Sequence, residues 1–159
     1  MITNHHASIT PDEIRPGIAL FLSPGYLREV GAASTEGRHR EVQGDHFFVC
    51  LESDENHSLW IPASTKDGPG RTHLSPRDKA GAASWRQPSS FCNVGEIWTL
   101  PNAIASDWAF LDESSPHQRN GVTRLALARL RCDAQGENLC SLWVYARSGG
   151  DSRGARWAA

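Results

Sequence analysis

Two apolar runs constrain the chain more than any other feature: Gly44-Asp45-His46-Phe47-Phe48-Val49-Cys50-Leu51 and Leu59-Trp60-Ile61-Pro62-Ala63-Ser64-Thr65-Lys66. Each is short and rich in aromatic and β-branched residues, and the polar stretch Glu52 to Ser58 between them carries turn residues. That composition predicts two strands joined by a connection. Antiparallel pairing would set the start of the first strand beside the end of the second. His46, Ser64, Thr65 and Lys66 would then share one rim of a sheet.

At 159 residues the chain suits a single domain with a core of its own. The net charge of −2 advertises no overall attraction for nucleic acid, so any such contact must come from a local patch. Only Lys66 and Lys79 are lysines, and arginine carries the remaining positive charge. No run reaches the roughly 18 consecutive apolar residues of a membrane helix. Met1 to Glu13 lacks the charged start and apolar centre of a signal peptide. Cys50, Cys92, Cys132 and Cys140 are far apart with no C-x-x-C spacing, so reduced thiols, a cytoplasmic setting and no metal or other cofactor are expected.

Along the chain, residues 1–15 read as a flexible arm, 16–146 as one domain and 147–159 as a polar tail. Gly17 to Ser23 reads as a strand stopped by a Pro24-Gly25 turn. Tyr26 to Gln43 reads as a long loop, with a helical turn around Leu27 to Ala32, and it carries Arg38-His39-Arg40. A second irregular stretch, Asp67 to Ala83, holds Arg71 and reads as a solvated connection or a lid. Ser90 to Val94 and Gly95 to Leu100 read as one strand, or two with a bulge near Gly95. A short helix is expected within Asn102 to Phe110. A longer helix is expected to open at Ser115-Pro116 and run through Arg131, and Leu139 to Tyr145 has strand length. The order is that of a β-rich α+β protein with short strands, as in a small barrel.

In this order the features resemble the MazF/PemK-like toxins, SH3-like barrels that cleave RNA in toxin–antitoxin systems. The resemblance rests on Pro16-Gly17-Ile18 as the opening strand, Gly44 to Val49 for the Gly-x-x-Pro-x-x-Val strand, and Pro62-Ala63-Ser64-Thr65 for the Pro-x-Thr-Ser strand end. Ser90 through Leu100 and the helix from Val122 to Leu130 complete it, and residues 16–131 are covered. The resemblance implies a small SH3-like barrel with long loops and a C-terminal helix. It also implies a homodimer, a single-stranded RNA substrate, metal-independent cleavage and a protein antitoxin as partner. One departure stands out. Where the family places an arginine just before the proline of its second strand, this chain has Asp45 and His46, and Phe47 replaces the proline.

Metal-independent RNA cleavage needs a base for the 2′-hydroxyl, an acid for the leaving 5′-oxygen and donors for the charge that builds on phosphorus. An imidazole exchanges protons near neutral pH, so His46 is the candidate base or acid. Thr65 or Ser64 would donate to a phosphate oxygen. Arg38, His39, Arg40, Lys66 and Arg71 are candidate substrate contacts, arginine through its planar fork. Trp60, Trp98, Trp108 and Trp143 read as core or edge residues. Trp85, beside Arg86 in a polar context, is the candidate stacking platform for a base. The alternative function is a non-catalytic barrel that binds a protein or nucleic-acid partner through its loops, and the absent family arginine favours it.

Overall fold

The computed structural model describes residues 9–36, 42–107, 109 and 117–134. In chain order they form β1 (Ala19–Leu22), α1 (Pro24–Glu29), β2 (Ala33–Ser34), β3 (His46–Ser53), β4 (His57–Ser64), β5 (Arg71–Leu74) and β6 (Lys79–Ala80). There follow β7 (Ser90–Asn93), β8 (Trp98–Pro101), α2 (Asn102–Asp107), β9 (Gly121–Val122) and α3 (Arg124–Asp133). The architecture is α+β and strand-rich, with antiparallel pairing throughout.

The two apolar runs pair as expected, with Phe47 opposite Ala63 and Val49 opposite Ile61. This hairpin is the middle of a seven-stranded sheet whose main path is β1-β3-β4-β7-β5, with β8 on β4 and β2 on β8. A bulge between Cys50 and Glu52 adds one residue to β3. Strand β4 changes partner along its length: Leu59 and Trp60 face β8, while Ala63 and Ser64 face β7. The change is possible because a turn at Val94-Gly95, closed by Glu96 N donating to Asn93 O at 3.2 Å, breaks the apolar stretch into two strands. β1 and β5 end the path without meeting, so the sheet is not a closed barrel among the described residues. β6 and β9 form a separate two-stranded sheet.

The central strands are continuous apolar runs because both faces of the sheet are covered. On one face Val49, Leu51, Leu59, Ile61, Leu74, Cys92 and Ile97 pack with Trp85 and with Ala126 and Leu130 of α3. On the other, Leu20, Leu22, Phe48, Cys50, Trp60, Trp98 and Leu100 pack under Leu27 of α1, Ala105 of α2, and Ile9 and Ile14. Side chains of this size contribute about 1.5–3 kcal/mol each when fully buried. No buried member of the second cluster comes from β5 or β7. Cover on that face therefore stops short, and the far end of the sheet is left open.

Several expectations are corrected. Pro24 does not stop the chain in a turn; it occupies the first turn of α1, where its missing N–H costs nothing. The stretch Asp67 to Ala83 is ordered into β5, a 3-10 turn at Pro76–Asp78, and β6. Residues 9–15 belong to the fold, with Ile9 and Ile14 buried and Glu13 paired to Arg119 at 2.9 Å. The last described helix opens after Thr123, whose Oγ1 accepts from Ala126 N at 3.2 Å, and Val122 lies in β9 rather than in a helix. The expected start at Ser115-Pro116, the run Leu139 to Tyr145, Trp108 and the polar tail lie outside the described residues.

Candidate functional site

The open end of the sheet holds the candidate site. Alternation along the strands sends Phe47, Ala63, Cys92 and Thr72 to the α3 side. It sends His46, Ser64, Phe91, Asn93, Arg71 and His73 to the uncovered side. A cavity of about 280 Å³ opens there. Val42, Gln43 and His46 line one side, Pro62, Ser64, Thr65 and Lys66 another, and Arg71, Asn93 and Glu96 complete it.

Ser64 is the hub of the rim. Its Oγ accepts from Lys66 N at 3.1 Å and from Arg71 Nη1 at 2.6 Å, and it donates to Lys66 O at 3.2 Å. Arg71 Nη1 also donates to Lys66 O at 2.9 Å, so the turn after β4 and the start of β5 are tied together. Among the described residues Arg71 Nε and Nη2 have no hydrogen-bond acceptor, nor do the side chains of Thr65 and Lys66. These donors are available at the cavity. Across the opening, His46 Nε2 lies 2.9 Å from Gln43 O. A carbonyl can only accept, so Nε2 carries the proton and Nδ1 is the basic nitrogen of the neutral ring.

Glu96 is a site residue that sequence reasoning missed. It is buried, accepts from Val42 N at 3.0 Å through Oε1, and accepts from Trp98 Nε1 at 2.7 Å through Oε2. Val42 O in turn accepts from Arg28 at 3.0 Å. The wall that carries Gln43 is thereby clamped from both sides. A carboxylate inside an otherwise apolar stretch, between Val94 and Ile97, was the available signal, because such a group needs built-in partners.

Of the expected site residues, His46, Ser64, Thr65, Lys66 and Arg71 meet at the cavity. Arg38, His39 and Arg40 lie outside the described residues. Trp85 does not reach the site. It is 1% exposed on the α3 side, donates through Nε1 to Gly121 O at 2.8 Å and packs on Phe47, so the expected stacking platform is core. Polar neighbours in sequence misled, because β6 and β9 fold back over the indole. The thiols of Cys50 and Cys92 are also core: burial pushes both up, that of Cys92 to about 12, which keeps them protonated and inert.

No protein-family model, curated protein or solved structure matches the chain. No helix among the described residues is long and apolar enough to cross a membrane.

Proposed function

We propose that the protein is an endoribonuclease of the toxin type that cleaves single-stranded RNA without a metal ion. The observation that carries this reading is the convergence of His46, Thr65, Lys66 and Arg71 on one cavity at the open end of the sheet. Kinship with the SH3-like MazF/PemK-like toxins is supported by the order of the sequence motifs and by an antiparallel, strand-rich fold. On this reading the chain acts as a homodimer and is neutralised by a protein antitoxin.

In the proposed reaction His46 Nδ1 takes the proton of the 2′-hydroxyl as that oxygen attacks phosphorus. The bond from phosphorus to the 5′-oxygen breaks, and the departing oxygen takes a proton from the imidazolium or from water. The products are a 2′,3′-cyclic phosphate and a 5′-hydroxyl. Arg71 Nε and Nη2, Lys66 Nζ and Thr65 Oγ1 donate to the non-bridging oxygens as their charge grows. Arg71 arrives from β5, separated from β3 by the two strands β4 and β7, and supplies in space the guanidinium that the sequence lacks beside His46. The Arg71 to Ser64 bond fixes its approach before substrate arrives.

The test is incubation with mixed-sequence single-stranded RNA in EDTA, beside His46→Ala and Arg71→Lys of matched thermal stability. Cleavage to cyclic phosphate ends is expected, with His46→Ala slower by about 10²–10⁴-fold. Arg71→Lys keeps the charge but loses the fork, and a fall of about 10²-fold is expected. Intact RNA across a broad set of sequences would overturn the proposal. It would favour a second reading, a non-catalytic binding module. The observation behind that reading is that Arg71 and Ser64 already bond each other and could serve as a staple between β4 and β5.

A further inference from the structure

The uncovered face continues beyond the cavity. Ser64 pairs with Phe91, and Phe91 pairs with His73, so the three stand in one row across β4, β7 and β5. Residues directly opposite one another in an antiparallel sheet share a face. The Phe91 and His73 rings lie 4.9 Å apart, centroid to centroid, at 31° to each other. His73 is exposed, Phe91 is half-buried, and no member of either buried cluster covers them among the described residues. Arg71 precedes His73 by two residues on β5, on the same side of the strand, about 6.8 Å away at 3.4 Å per residue.

We propose that Phe91 and His73 form a base-stacking subsite for single-stranded RNA, next to the phosphate donors of the cavity. The inference rests on the ribonuclease reading and gives it a substrate geometry. A nucleotide whose phosphate contacts Arg71 and Lys66 has its base directed along the row. The strand order β4-β7-β5 makes Phe91 the first ring met on leaving Ser64. An aromatic pair tilted by only 31° suits this task, because every base offers a π-face and stacking is tolerant of sequence. The platform sought in Trp85 is thus assigned to the open face. A stacking pair at this position makes one base next to the cleaved bond contribute to affinity whatever its identity.

The experiment uses the His46→Ala protein, whose slowed cleavage should leave the probe intact during the measurement, and fluorescence anisotropy with a labelled single-stranded oligonucleotide. Intact probes are compared with probes made abasic at one position at a time. One abasic position is expected to weaken binding by about tenfold. Phe91→Leu, which keeps apolar volume, and the surface variant His73→Ala are expected to weaken the intact probe by a similar factor. The abasic penalty should disappear in both. Equal binding of intact and abasic probes, or an abasic penalty unchanged in both variants, would overturn the subsite while leaving the ribonuclease reading intact. No binding of any RNA, together with no cleavage by the wild type, would overturn both.

Discussion

Lys79 shows how far a single residue can depart from its sequence context. It is 5% exposed, donates from Nζ to Gln87 O at 2.6 Å and to Ser90 Oγ at 2.8 Å, and stands 5.0 Å from the centroid of the Trp85 ring. Burial pushes its pKa below the ordinary lysine value. The unfolded chain therefore holds that proton more tightly than the folded one. Across the alkaline window between the lowered and the ordinary value, stability contributed at this position rises with pH. Denaturant unfolding of wild type and Lys79→Met over that range should show the wild type gaining on the variant as pH increases. A constant difference would mean that the ammonium is not perturbed by folding. Other single residues were readable in advance: His46 and Ser64 were placed together by antiparallel pairing alone, because both flanking runs are apolar enough to fix the register. Arg71 could be named but not placed, since Arg71-Thr72-His73-Leu74 has too little apolar character to announce a strand. Glu96 shows in the sequence only as a carboxylate in an apolar stretch: Trp98 Nε1 is a local partner two residues on, but Val42 N is brought to it by tertiary structure.

Among the elements, those with a strong local signal were legible and those held by contacts were not. β1, β3, β4, β7 and β8 follow from runs of aromatic and aliphatic residues, and α2 from a short apolar patch. α1 was obscured because Pro-Gly signals a turn, although proline is equally at home in the first turn of a helix. The two-residue strands β6 and β9 have no sequence signature and depend on a close approach. Gly81 follows β6 with φ of +127°, and a Cβ there would lie 2.6 Å from Asn120 Cα. Asn120 is itself fixed by Ala82 N, which donates to its Oδ1 at 2.8 Å, and its carbonyl accepts from Ala19 N at 2.9 Å. Gly81→Ala is therefore expected to destabilise the protein by at least about 1–3 kcal/mol, with a lowered denaturation midpoint. An unchanged midpoint would show that β6 and β9 can separate at little cost.

For the whole molecule, the net charge of −2 and the small number of cations at the cavity set how the proposed RNA binding should respond to salt. If Lys66 and Arg71 are the phosphate contacts, the logarithm of the binding constant should fall with the logarithm of salt concentration with a slope of about −1.4. A markedly steeper slope would bring in further cations, with Arg38 and Arg40 the first to substitute. The sheet that supports the cavity has a consequence of its own. His46 and Ser64 alternate with Phe47 and Ala63, so chemistry and core are interleaved residue by residue on the same two strands. A copy in which either strand slipped by one position would bury the polar set and turn the apolar set outward. Misfolding therefore silences the site instead of blurring its selectivity, and if the protein cuts RNA as proposed, the register of one hairpin doubles as a safety catch.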